Sequence, residues 1–127
     1  MNLYESICAA AGHDPIEKII RDFYTRAFSD GIIGHFFFGH DHNELVAKQT
    51  AFAIALLGGP PKYQGKPLAA AHRTLGIRNA HFGRRQVLMR EVLEEHKIPN
   101  VFINEWLDRE EKLRPLVISG ANPPPCK

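Results

Sequence analysis

At 127 residues with a formal net charge of +2, the chain has the size of one domain, enough for one core or for a core built around one sizeable ligand. Its 16 Lys and Arg against 14 Asp and Glu form no dense basic block able to track phosphates, which argues against a nucleic-acid partner. The longest apolar run, Ala51 to Leu57, is too short to span a bilayer, and Met1 to Ala11 has neither a basic leader nor a continuous apolar stretch. A soluble, cytoplasmic protein with no membrane partner is expected.

No stretch alternates apolar and polar residues with period two, whereas helical spacing recurs in four segments, so the expected fold class is all-α. The first clear helix begins at Asp14-Pro15-Ile16-Glu17, where Asp14 can cap, Pro15 suits the first turn and Glu17 can close a capping box. It is predicted to run to about Asp30. Ile16, Ile19, Ile20, Phe23, Tyr24, Ala27 and Phe28 form its buried stripe, which places the Tyr24 hydroxyl on an apolar face.

After Gly31 and Gly34, His35-Phe36-Phe37-Phe38-Gly39 is an aromatic corner whose three rings need something large to pack on. Asp41 and Glu44 then stand in capping-box spacing ahead of a helix that reaches Leu57 and stops at Gly58-Gly59-Pro60-Pro61. One face of it carries Leu45, Gln49, Phe52 and Leu56, with Gln49 its polar exception. A Gly- and Pro-rich linker to Pro67 leads into a short helix, Leu68 to Leu75, which contains His72 and ends at Gly76. A fourth segment from about His81 to Lys97 turns Phe82, Met89, Val92 and Leu93 to one side. Beyond Pro99-Asn100, a last helix has the face Ile103, Trp106, Leu107, Leu113 and Val117, and these two helices are expected to pair antiparallel. The fold ends near Gly120, with 121–127 a Pro-rich flexible tail. Cys8 and Cys126 have no metal or redox spacing and are expected to be reduced thiols.

A buried amide or hydroxyl without a partner costs about 1–3 kcal/mol, so Tyr24 and Gln49 must bond each other or a ligand. The Leu68-Ala69-Ala70-Ala71 run before His72 has small side chains, so a flat cofactor can approach its imidazole closely; a structural or surface histidine fits the same spacing. His40-Asp41-His42 with His35 offers a rival reading as a hydrolytic metal site, although it precedes a helix as a solvated cap would and no later carboxylate completes its spacing. Arg84-Arg85 and Glu94-Glu95 read as solvated faces.

Taken in order, Asp22-Phe23-Tyr24, Phe36-Phe37, Leu45 with Lys48-Gln49, Leu57-Gly58-Gly59-Pro60, Tyr63-Gln64-Gly65, Ala71-His72 with Gly76-Ile77, and His81-Phe82 resemble the truncated haemoglobins of group I. The match runs from Leu3 to about Gly120. Its most specific part is the Gly-Gly-Pro turn, the Tyr-x-Gly after it and the following histidine. The resemblance implies a truncated globin domain over 1–120, folded as a two-over-two helical sandwich around haem b. His72 would be the iron ligand, Phe37 the ring stacked on the haem, and Tyr24 and Gln49 the distal hydrogen-bond donors. Leu45, Phe52, Tyr63, Leu68, Ile77 and Phe82 would line the pocket. Lys48 matches a position at the haem edge where a cation can pair with a propionate, and where some relatives place a sixth ligand.

The function this implies is reversible binding of dioxygen, with nitric oxide and carbon monoxide as further gases. Nitric oxide dioxygenation to nitrate, dependent on an external reductase, or a peroxidase-like activity would be secondary, and a monomer or weak dimer is expected. A haem-free helical interaction module is the remaining alternative. Three departures from the family pattern stand out. Ala11-Gly12 replaces a frequent Gly-Gly, three phenylalanines blur the corner register, and Arg85 falls where relatives have an apolar pocket residue. Arg85 can enter the pocket, reach a propionate or point to water.

Overall fold

The apolar spacing is realised as helix along the chain: the computed structural model describes residues 1–62, 72 and 75–118, and every regular element among the described residues is helical. The short-helix expectation over Leu68 to Leu75, apart from His72 and Leu75, the pocket residues Tyr63 and Leu68, and the 121–127 tail lie outside the described residues.

A helix that the apolar pattern did not announce comes first. α1 spans Leu3–Ala11, and Asn2 closes a capping box on it: Glu5 N–H donates to Asn2 Oδ1 at 2.7 Å and Asn2 N–H to Glu5 Oε1 at 3.1 Å. It ends at Gly12, whose φ of 80° is the left-handed conformation that closes a helix. α2 spans Ile16–Phe28, and Asp14 caps it by accepting the Ile16 N–H at 2.9 Å. Glu17 closes no box there and instead pairs with Arg21, one turn on, at 2.6 Å. The predicted stripe from Ile16 to Ala27 is buried, with Phe28 half-buried at its end.

A 3₁₀ turn over Gly34–Phe37 carries the aromatic corner into α3, His42–Leu56, where Asp41 Oδ1 accepts the Glu44 N–H at 3.0 Å. The fully buried stripe of α3 is Val46, Ala53 and the following Leu57 rather than Leu45, Gln49, Phe52 and Leu56, which are half-buried. This helix is apolar on two adjacent faces. One packs on α2, and three residues of the other wall the cleft described below. α4, Asn79–Glu95, buries Phe82, Leu88, Met89, Val92 and Leu93, and α5, Asn100–Glu111, buries Ile103, Trp106 and Leu107. A break at Lys112-Leu113 sets off the short α6, Arg114–Val117, so the last predicted helix is two.

α2 packs on α3 and on α4, α4 packs on α5, and α1 packs on α5, which gives two helical pairs one over the other. Phe23, Met89, Leu93, Ile103 and Trp106 are fully buried between them. The polar rim is tied as well: His96 Nε2 lies 2.7 Å from Asp22 Oδ2, and Arg26 pairs with Glu91 and Glu95. At the Gly58-Gly59-Pro60 turn, Gly58 has φ +93°, and a Cβ on Gly59 would meet the Tyr4 ring at 2.8 Å. The absence of side chains there lets α1 dock on the end of α3, sealed by Tyr4 N–H to Leu57 O and Asn2 Nδ2–H to Gly58 O, each 2.9 Å. No helix among the described residues is long and apolar enough to cross a membrane.

Candidate functional site

A cleft of about 250 Å³ opens among these helices. α2 contributes Tyr24, the corner Phe36 and Phe37, α3 Leu45, Gln49 and Phe52, and α4 His81, Phe82 and Arg85. His72, which is helical and half-buried, lines it from the segment between α3 and α4, together with Leu75 and Ile77. Eight residues singled out in the sequence, namely Tyr24, Phe37, Leu45, Gln49, Phe52, His72, Ile77 and Phe82, thus share one cleft although they span three helices and two connections. Lys48 is exposed on α3 and outside that lining.

Packing turns one of the three corner rings away and keeps two at the cleft. Phe38 is 79% exposed and leaves the cleft, whereas Phe37 stacks on Phe28 with ring centroids 5.2 Å apart and planes 7° from parallel. The Tyr24 ring meets Phe37 edge-on at 5.5 Å and Phe23 at 4.9 Å, so the tyrosine is clamped between aromatic neighbours. Phe36 also lines the cleft, against His81 at 4.9 Å.

The histidines of the rival metal reading diverge. His35 packs against Phe36, His40 lines the cleft, and His42 sits against Phe28 at 4.9 Å. Among the described residues, no three metal-binding groups converge. His81 serves the start of α4, its Nδ1 accepting the Arg78 N–H at 2.9 Å. That bond places the ring proton on Nε2.

Neither arginine of the Arg84-Arg85 pair is a solvated-face residue. Arg84 Nη2 donates to Asp30 Oδ1 at 2.8 Å, and the hydrogen bonds from Arg84 hold the Asp30 carboxyl below its ordinary range. Arg85 enters the cleft, donates from Nη1 to Glu110 Oε1 at 2.7 Å, and lies over the Phe23 ring at 4.8 Å. Glu110 is buried on α5 and takes a second bond from Trp106 Nε1–H at 3.0 Å. Burial opposes the Arg85 charge, but Glu110 and then Tyr24 outweigh it and keep the guanidinium charged. Burial likewise pushes the Tyr24 hydroxyl up, with Arg85 pulling the other way and losing. Tyr24 is therefore a protonated donor at neutral pH.

Sequence reasoning missed Glu110, although a signal was present. An acid one helical turn after Trp106 and seven residues after Ile103 lies on the buried stripe of α5, and Arg85 on α4 is the complementary misfit. Two charges that each violate a helix's apolar pattern resolve when they are paired.

A largely apolar cleft that also offers imidazole groups has the donor set of a haem site rather than of an all-protein metal cage. The residues present fit that group: His40, His72 and His81 bring imidazoles to the cleft, His81 with its Nδ1 already engaged by the Arg78 N–H, and phenylalanine rings and aliphatic side chains supply most of the remaining wall.

Residues 2–118 match the family model described as bacterial-like globin. The chain is 32% identical over 119 residues to the group 1 truncated hemoglobin of Mycolicibacterium paratuberculosis, covering 94% of this chain and 85% of that protein. It is 30% identical over 103 residues to the group 1 truncated hemoglobin of Tetrahymena pyriformis, covering 81% of this chain and 83% of that one. The crystal structure of the Tetrahymena pyriformis protein in its Fe(III) form superposes with a TM-score of 0.84 at 28% identity, over 93% of this chain and 98% of that chain. The group II truncated hemoglobin of Bacillus anthracis shares the fold at a TM-score of 0.80 and 21% identity.

Proposed function

Because this chain belongs to the truncated haemoglobins of group 1 within the bacterial-like globin family, and so binds haem and diatomic gases, we propose that it is an oxygen-binding protein whose iron ligand is His72 and whose gas-binding face is set by Tyr24 and Gln49. When bound, haem supplies an iron centre able to take a diatomic gas and to change oxidation state. The observation that carries the reading is the opening of His72, Tyr24 and Gln49 onto one cleft from three separate parts of the chain.

The chain's own residues have distinct tasks. His72 would hold the haem iron through a ring nitrogen of its imidazole. Phe37, held by Phe28 and Tyr24, offers a ring for the macrocycle to pack on, while Leu45, Phe52, Ile77 and Phe82 exclude water. Tyr24, kept protonated by burial, and the Gln49 amide donate hydrogen bonds to a ligand that gains negative charge, which slows its release.

Slow release suits chemistry on the gas better than its delivery. Nitric oxide, dioxygen and one electron together make nitrate, so a nitric oxide-consuming role requires an external reductase to return the iron to its ferrous form.

The visible spectrum tests the assignment. Wild type should keep an intense Soret band after desalting, and His72→Gly should shift or lose it, with added imidazole restoring it. An unaltered band in His72→Gly would remove His72 as the ligand.

A further inference from the structure

The charged pair in the cleft has no part in the gas-binding reading so far. We propose that Arg85 makes the cleft a site for small monovalent anions such as azide, fluoride and nitrite, held by its unspent guanidinium N–H groups as they enter to ligate ferric haem. The proposal rests on the haem reading above and deepens it.

Among the described residues that line the cleft, Arg85 is the one arginine or lysine. Its pairing with Glu110 is made at a single point. Nη1 donates to Glu110 Oε1 at 2.7 Å, while the second carboxylate oxygen accepts Trp106 Nε1–H at 3.0 Å. Arg114 shows the contrast: its Nε and Nη2 donate to the two oxygens of Glu111 at 2.8 and 3.0 Å, so that fork is fully spent. On Arg85, Nε and Nη2 have no acceptor among the described residues. Unspent donors on a charged group in an apolar setting are costly, so an acceptor that reaches them is held firmly.

The geometry also sets which charge an incoming ligand meets. The Arg85 side chain keeps 26% of its surface accessible, against 8% for Glu110. Glu110 is the deeper of the two and is fixed by Trp106, which is fully buried on α5. The guanidinium lies over the Phe23 ring at 4.8 Å, so packing takes up one flat face and leaves the in-plane N–H groups at the edge. Most of the surrounding wall is phenylalanine and aliphatic, and such a setting strengthens the pull of the charge. An anion gains from that pull, whereas a neutral ligand such as imidazole does not.

The test titrates the ferric, haem-loaded protein with azide, fluoride and nitrite at one pH and ionic strength, with imidazole as the neutral control, and reads dissociation constants from the Soret band. Removing Arg85 alone leaves Glu110 buried and unpaired, so the informative variant is Arg85→Met with Glu110→Gln. It should weaken binding of the anions roughly tenfold or more and leave imidazole within about twofold of wild type. Glu110→Gln alone keeps the arginine and removes the opposing charge, so it should tighten the anions severalfold. Wild-type anion affinities in the double variant would overturn the proposal. So would imidazole weakening as much as the anions, because that marks a change in the shape of the cleft. Faster haem transfer from the double variant to apomyoglobin, with anion affinities unchanged, would place Arg85 on a haem propionate and overturn the proposal equally. If the double variant does not keep haem, the Glu110→Gln titration decides: tighter anion binding supports the proposal, and unchanged or weaker binding ends it. A wild type without a Soret band would sink the haem reading itself before any anion is added.

Discussion

A tyrosine hydroxyl and a glutamine amide on otherwise apolar helix faces are costly unless they have something to bond, and at Tyr24 and Gln49 the cleft provides the place for it. In the proposed role each donor would contribute about 1–1.5 kcal/mol to holding a polarised ligand, close to tenfold in its release rate. Tyr24→Phe combined with Gln49→Leu should therefore release oxygen on the order of 100-fold faster, measured by rapid mixing of the oxygenated protein with excess carbon monoxide. An off-rate equal to wild type would count against both assignments. Both residues were visible in the sequence because each interrupts an apolar stripe. Arg85 was visible as an anomaly, but its destination was not, since the partner that draws it inward lies 25 positions away on the next helix.

At the scale of helices, the junction after α2 depends on Asp30. Its Oδ2 accepts the Ile32 and Ile33 N–H groups at 3.0 and 3.1 Å, and its Oδ1 accepts Arg84 Nε and Nη2 at 3.0 and 2.8 Å, which ties the end of α2 to α4. These bonds favour the carboxylate, chiefly those from Arg84, so the folded-state pKa lies below its ordinary value. The resulting stability is present above the unfolded-state pKa and is lost as pH falls toward the folded one. Asp30→Asn should lower the denaturation midpoint at neutral pH and flatten its decline between about pH 5 and pH 2, followed by circular dichroism. An equally steep decline in the variant would assign the acid sensitivity to other carboxylates. Cap residues at Asp14 and Asp41 made two helix starts legible in the sequence. The start of α1 was equally legible in Asn2 and Glu5, yet its short stripe, with Leu3 and Ile7 buried, gives too little periodicity to announce a helix.

For the molecule as a whole, a chain of this size that leaves Leu45, Phe52 and Leu75 only partly covered has not finished its core by itself. A ligand that binds the folded state alone stabilises it by RT ln(1 + [L]/Kd), about 4 kcal/mol at a thousandfold excess over Kd. Haem removal should lower the thermal midpoint by more than about 10 °C, and readdition of haem should restore it, as measured by calorimetry on both forms. Equal midpoints would mean that the cleft contributes nothing to folding.

Local chemistry is written into the order of residues, and so the sequence by itself determined the helical class, the stripe of α2, the capped starts of α2 and α3, and the Gly-Gly-Pro turn on which α1 docks. It also singled out eight of the residues that line the cleft, Tyr24 and Gln49 as polar groups on apolar faces, His72 as a histidine after small residues, and the five apolar ones through the family resemblance. Which of two apolar faces of α3 meets α2 and which meets the cleft was a tertiary matter, since periodicity specifies a face only to within the rotation that packing selects. The corner ring that turns to solvent, Phe38, and the pairing of Arg85 with Glu110 were decided in the same way. Burial of a charge is set by the element opposite it, and no spacing within one helix contains that information.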